Sequence, residues 1–161
     1  MSSEPELLPE EWLIELGKIV KAWITFEQLF NLMLQKLAGH DDLSDPTFTI
    51  LVTHTSFPQR LDMLKALCEQ KVDQYPHLKD YKNVASKVAE AQRIRNFFMH
   101  NMIGIDSDGI AKVAQISARG RLRTELREIQ LDELKAASAQ ILEAGKATYR
   151  LVLNSDPWQT T

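Results

Sequence analysis

The amino-acid sequence contains, near its middle, the segment Gln92-Arg93-Ile94-Arg95-Asn96-Phe97-Phe98-Met99-His100-Asn101. This segment ends a longer stretch, from about residue 78 to residue 102, in which apolar side chains recur with the period of an α-helix. The pattern predicts an amphipathic helix with an arginine in the middle of the stripe that faces the core. With successive residues placed about 100° apart, that stripe consists of Tyr81, Val84, Ala85, Val88, Ala91, Arg95, Phe98 and Met102.

The arginine of that stripe, Arg95, needs an explanation, because a guanidinium keeps its charge and a buried charge is costly unless it is paired and hydrogen-bonded. A second arc of the helix groups Arg93, Asn96 and His100, since His100 follows Asn96 by four residues and Arg93 by seven. One end of the helix thus brings together a permanent cation, an amide and an imidazole, the side chain that titrates near neutral pH. We interpret this end as a candidate functional site.

Helical periodicity also predicts three other helices. The first starts at Pro9-Glu10-Glu11 and ends before Gly39. It is about 30 residues long, so a helix of the same chain or of a second subunit is expected to cover it. A capping box, Ser56 with Gln59, opens the second, and the last runs from Leu131 to about Leu153. The connection from residue 40 to residue 55 fits either a short strand or one helical turn.

Between residues 103 and 129 the period changes to that of β-strands, with turns around residues 106–109 and 118–120. This predicts a small hairpin or three-stranded insertion before the last helix. Either the insertion has an edge strand protected by charge, or it forms an RNA-binding surface that contacts phosphates. The segment from Lys112 to Arg127 contains the single acid Glu125. The basic residues on which both interpretations depend are Lys112, Arg119, Arg121, Arg123 and Arg127.

Length and composition fit one mainly α-helical domain over residues 1–161, with a core at about 12–153 and tails at 1–8 and 154–161. The net charge of −3 argues against a protein coated with positive charge but leaves room for a local basic groove. The single cysteine, Cys68, lies in an apolar helical pattern and is expected to be a buried structural thiol. Neither a signal peptide nor a membrane span is recognised, so we expect a cytoplasmic protein.

Glu27 lies inside the first helix between two apolar aromatic positions, Phe26 and Phe30. In one interpretation it belongs to a solvated face of the helix. In the other it turns inward and pairs with an arginine such as Arg95, which would offset the cost of burying that cation.

The motif Arg95-Asn96-Phe97-Phe98-Met99-His100 resembles the R-x4-H pattern of the HEPN superfamily, in which a polar residue follows the arginine directly. The order of elements, from about Trp12 to Leu153, is similar to one branch of that family. The resemblance implies an antiparallel bundle of about four main helices and a metal-independent ribonuclease of toxin–antitoxin or antiviral systems. It implies Arg95, Asn96 and His100 as catalytic residues, with Arg93 satisfying a looser spacing.

Two copies of the central helix, packed about a two-fold axis, would supply two histidines to one cleft. One imidazole would act as the base toward the 2′-hydroxyl of RNA and the other as the acid toward the leaving 5′-oxygen, while Arg95 stabilises the phosphoryl charge. No cofactor is expected, and no His or Cys spacing suggests a metal. The expected partners are RNA, a second copy, and an antitoxin or regulatory protein.

Two other classes of function remain open from the sequence. The protein could be a non-catalytic helical module for dimerisation or regulation, in which Arg95 and Asn96 serve the structure. It could also bind a nucleotide or a protein partner through its arginine-rich hairpin, although no glycine-rich loop that would cradle a phosphate is recognised.

Overall fold

A computed structural model describes residues 8–42, 44–118 and 120–155. The predicted tails lie almost wholly outside these residues. Across the described residues the chain is mainly helical, with five α-helices and one three-stranded antiparallel sheet before the last helix. None of these helices combines the length and the apolar content that crossing a bilayer requires.

The first helix, α1, spans Glu10–Leu37 and confirms the predicted long helix. Pro9 precedes its first residue, and Glu10 and Glu11 lie in the first turn, where carboxylates interact favourably with the positive end of the helix dipole. The last helix, α5, spans Leu131–Leu153, as predicted, and packs along α1 more extensively than any other element does. The cover expected for the buried face of α1 therefore comes largely from the same chain.

The connection from residue 40 to residue 55, which fits either a short strand or one helical turn, contains a six-residue helix, α2, at Thr47–Val52. The helix α3 follows at Phe57–Lys71, and its predicted capping box is present. The backbone N–H of Ser56 donates to Gln59 Oε1 at 2.7 Å, and the N–H of Gln59 donates to Ser56 Oγ at 3.4 Å. These bonds satisfy N–H groups that the start of the helix leaves without a backbone partner.

The central helix, α4, spans Tyr81–His100 after a short 3-10 helix at Pro76–Asp80. It ends two residues before the predicted end, because Asn101 is extended and its side chain donates to the carbonyl oxygen of Phe97 at 2.8 Å. Met102 consequently belongs to the sheet and is 74% exposed, so its predicted place in the core-facing stripe is wrong. The members of that stripe that are buried are Tyr81, Val84, Ala85, Val88, Ala91 and Phe98.

The sheet has the strand order β1-β2-β3, with β1 at Met102–Ile105, β2 at Ala111–Ser117 and β3 at Arg123–Glu128. The predicted three-stranded insertion is therefore confirmed. Val113 of β2 is fully buried and pairs with Arg127 of β3, so both side chains project from the face of the sheet that meets the helices. The opposite face carries Lys112, whose register partner on β3 is Glu128.

An aromatic cluster joins α1 to α3 in the core. The ring centroids of Trp23 and Phe57 are 4.9 Å apart, and those of Phe30 and Phe57 are 5.0 Å apart. Phe26 also contacts Phe57 and faces Gly145 of α5, where an added Cβ atom would lie 3.3 Å from the ring. These contacts join α1 to α3 and to α5, and Trp23 of the same cluster also contacts Arg95 of α4.

Candidate functional site

The last turns of α4 bring three predicted site residues together around one nitrogen atom. Arg95 Nη1 lies 2.9 Å from Asn96 Oδ1 and 2.9 Å from His100 Nε2. Asn96 follows Arg95 directly, and His100 is the last residue of the helix, so its side chain can turn toward the guanidinium. The structure therefore assembles Arg95, Asn96 and His100 as one cluster, which we call the Arg–Asn–His cluster.

The chemistry of Arg95 decides which protonation form of His100 fits this arrangement. A guanidinium only donates hydrogen bonds, so His100 Nε2 must accept one. The matching form is the neutral imidazole with its proton on Nδ1, an assignment that follows from the hydrogen-bond network. His100 is exposed to solvent, and its Nε2 lone pair points at a cation. This form of histidine can remove a proton from a substrate once the hydrogen bond from Arg95 is released.

Arg95 is half-buried rather than fully buried, and an aromatic ring offsets the loss of water around it. Its Cζ atom lies 5.2 Å from the centroid of the Trp23 ring on α1. A cation over an indole face is stabilised by the ring quadrupole. Nη1 makes the only hydrogen bonds of this guanidinium within the described residues. Its Nη2 and Nε donors therefore remain for a ligand.

The predicted pairing of Glu27 with Arg95 is wrong. Glu27 Oε1 instead accepts from Arg60 Nη2 at 2.5 Å, and Arg60 Nη1 donates to Asn31 at 2.7 Å. Arg60 is buried, at 9% exposure, so it needs a carboxylate more than the half-buried Arg95 does. The sequence held a signal for this pair, because Arg60 comes three residues after Phe57 and four before Leu64, on the buried stripe of α3.

Arg93, the other supporting residue, lies on the solvent side of α4. Its side chain is 73% exposed and forms an ion pair with Glu90, one turn earlier on the same helix. Within the described residues it is Arg95, and not Arg93, that contacts His100. The five-residue spacing from Arg95 to His100 is therefore the one that produces contact.

The predicted basic surface of the sheet is divided between two faces. Lys112 lies on the face away from the helices, where its Nζ binds Asp106 Oδ2 at 2.7 Å. This contact raises the pKa of Lys112 and, together with backbone N–H groups, lowers the pKa of Asp106. Arg127 lies on the opposite face, and Arg119 lies outside the described residues. The remaining two, Arg121 and Arg123, are exposed near the β2–β3 turn.

Arg127 is the basic residue of the sheet that comes near α4. Its Cζ atom lies 4.8 Å from the centroid of the Phe97 ring, and its Nη2 binds Glu133 Oε2 at 2.5 Å. Phe97 follows Asn96 directly in the sequence. Arg127 therefore contacts the same turn of α4 that carries Asn96 of the Arg–Asn–His cluster. Sequence spacing gave no signal for this contact, since it depends on how the sheet folds back over α4.

Cys68 is fully buried, and burial raises the pKa of its thiol to about 11, which confirms the expectation of a structural thiol. Among the described residues, no group of three or more His, Cys, Asp or Glu side chains lies in an arrangement that could hold a metal ion.

The chain was also compared with known proteins. No family model, no curated protein and no solved structure matches it.

Proposed function

We propose that the protein is a metal-independent endoribonuclease of the HEPN type that acts as a homodimer. The observation that carries the proposal is the contact of Arg95 Nη1 with both Asn96 Oδ1 and His100 Nε2. A cation with free donors beside an unprotonated imidazole nitrogen provides the two functions that transesterification of RNA requires, an acceptor for a proton and a stabiliser for phosphoryl charge.

In the proposed reaction, Arg95 Nη1 exchanges its hydrogen bond to His100 Nε2 for one to the phosphate of the RNA, which frees the Nε2 lone pair. His100 Nε2 then removes the proton from a 2′-hydroxyl, and the 2′-oxygen forms a bond to the adjacent phosphorus. The bond from phosphorus to the 5′-oxygen breaks, and that oxygen takes a proton from a second, protonated imidazole. The products carry a 2′,3′-cyclic phosphate and a 5′-hydroxyl. Arg95 donates to the non-bridging oxygens through Nη2 and Nε, while Asn96 holds the orientation of the guanidinium.

The requirement for a second imidazole supports a homodimer, because each chain supplies one His100. The surface of α1 also supports self-association, since Leu13, Val20 and Ile24 are exposed on one side of the helix, which the described residues leave uncovered. Apolar side chains aligned in this way are typical of a surface that another protein covers. The biological role proposed for such an enzyme is that of a toxin or antiviral effector, controlled by an antitoxin or regulatory protein.

The test is induced expression of the wild-type protein and of His100→Ala, with growth measured and total RNA separated on a gel. We expect growth arrest and RNA fragments with the wild-type protein only. The matched control is His54→Ala, because His54 is exposed in a turn outside the Arg–Asn–His cluster and its loss should leave cleavage unchanged. Intact RNA with soluble wild-type protein, across single-stranded and transfer RNA, would refute the proposal.

A second candidate is a non-catalytic module for dimerisation or regulation. The contact of Arg95 with the buried ring of Trp23 favours it, because this contact gives the arginine a role in packing α4 on α1. In that case His100→Ala should leave folding, self-association and any partner binding unchanged, with no cleavage activity to lose.

A further inference from the structure

A groove of about 640 Å³ lies between α4, the inner face of the sheet and the first half of α5. Its walls carry Asn96 and Phe97 from α4, Gln115 from β2, Arg127 from β3 and Gln140 from α5. Pockets that bury small ligands have about 300–1,000 Å³, so this groove is large enough for one unit of a polymer such as a nucleotide.

The groove adjoins the Arg–Asn–His cluster through Asn96. This residue lines the groove, and its Oδ1 atom accepts the hydrogen bond from Arg95 Nη1. A ligand whose phosphate contacts Arg95 can therefore extend past Asn96 into the groove without leaving the surface of α4. The two regions together have the layout of a phosphate site with an adjoining subsite.

The charges of the groove do not favour a second phosphate. Arg127 is paired with Glu133 at 2.5 Å, and Arg93 is paired with Glu90, and all four residues line the groove. Two carboxylates thus match two guanidinium groups. Since phosphate binding depends on an excess of positive charge, the groove suits an uncharged part of a ligand better.

The remaining polar groups of the groove are amides without partners. The side chains of Gln115 and Gln140 are exposed and make no hydrogen bond within the described residues. Each amide offers both a donor and an acceptor, as the edge of a nucleobase does. In the same groove, Arg127 Cζ lies 4.8 Å from the centroid of the Phe97 ring, and both groups are planar, like the side chains on which unstacked RNA bases rest.

From these observations we infer that the groove binds one unstacked nucleobase of single-stranded RNA, next to the phosphate held by Arg95, and thereby selects the sequence at that position. The inference rests on the proposed function for the choice of RNA as the ligand. Gln115 and Gln140 contact the edge of the base and determine specificity, and the Arg127–Phe97 pair supports its face.

The test measures how tightly the full-length protein binds short 2′-fluoro RNA oligonucleotides, each of which contains only one kind of base. Fluorine replaces the attacking hydroxyl, so binding is separated from cleavage. We expect the affinities for the preferred and the least preferred base to differ by about fivefold or more, in the range of side-chain readout of a base edge. The double variant Gln115→Ala/Gln140→Ala should lose that difference. The control Gln28→Ala, an exposed glutamine on α1 outside the groove, should keep it.

Cleavage of unmodified RNA is measured in parallel, so that the two proposals fail separately. Three results would overturn the inference even if His100-dependent cleavage is observed. They are equal affinity for all bases, no binding at all, and a base preference that survives the double substitution. A base preference that the double variant abolishes, found in a protein that cleaves no RNA, would support the groove as a base-binding site and reject the catalytic proposal.

Discussion

Arg95 Nη1 lies 2.9 Å from His100 Nε2, in an arrangement that requires the histidine nitrogen to accept. The same guanidinium rests on the ring of Trp23. A planar group with several donors is needed to make both contacts at once, and the ammonium of lysine cannot replace it.

We therefore predict that Arg95→Lys reduces the rate of RNA cleavage by about 10²- to 10³-fold, the usual effect of removing one donor to a developing negative charge. The measurement is the initial rate on a fluorescent RNA substrate, together with thermal unfolding of both proteins. Arg150→Lys is the matched control, because Arg150 is exposed on α5 and belongs neither to the Arg–Asn–His cluster nor to the groove. Equal rates for Arg95→Lys and the wild-type protein would contradict a catalytic role for this guanidinium.

A second prediction concerns the ion pair of Glu27 with Arg60. Removing the carboxylate leaves a buried guanidinium whose remaining side-chain acceptor among the described residues is Asn31. Glu27→Ala should lower the free energy of unfolding by about 1.5–3 kcal/mol, the range for hydrogen bonds to charged groups.

Urea unfolding of Glu27→Ala, Arg60→Met and the double variant measures the coupling between the two residues. We expect the effect of Glu27→Ala to be much smaller when Arg60 is already replaced by methionine. An equal loss of stability in both backgrounds would mean that the pair does not contribute through its contact.

A third prediction concerns pH and the turn between β1 and β2. Asp106 accepts from Lys112 Nζ and from the backbone N–H groups of Ile110 and Asp108, and these contacts lower its pKa from 3.8. Because the pKa is lower in the folded state, the contribution of Asp106 is present above its unfolded value and is lost as the pH falls through its folded value.

Asp106→Asn should therefore be less stable than the wild-type protein near neutral pH, and the difference should disappear as the pH falls well below 3.8. Urea unfolding across that range provides the measurement. Asp108→Asn is a suitable control, because the Asp108 side chain forms no hydrogen bond within the described residues. A difference that is independent of pH would exclude the carboxylate charge as its cause.

A fourth prediction concerns the thiol of Cys68. It is fully buried on α3, and burial raises its pKa to about 11. Iodoacetamide should therefore react with the native protein at mildly alkaline pH much more slowly than with the protein unfolded in urea, because only the accessible thiolate is nucleophilic. Mass spectrometry over time measures the reaction, and rapid modification of the native protein would show that α3 opens readily.

Much of the secondary structure of this chain was predictable, because it depends on interactions between residues close in sequence. The apolar period located α1, α3, α4 and α5, and the Ser56–Gln59 capping box marked the start of α3. The end of α4 was predicted two residues too late, because the bond from Asn101 to the Phe97 carbonyl outweighs the apolar character of Met102. The helix α2 was not assigned, since its six residues are too few to show a period.

The sequence alone determined that Arg95, Asn96 and His100 lie within two turns of one helix, but its period put Arg95 on a different arc from the other two. Arg95 and His100 meet because the helix ends at His100, where the side chain can turn toward the guanidinium. Only the tertiary structure decided that Arg60 binds Glu27, that Trp23 covers Arg95, and that Arg127 lies over Phe97. Each of these contacts joins elements that are far apart in sequence. The packing of helices and sheet around a shared core sets these contacts, and the spacing of residues along the chain does not predict them.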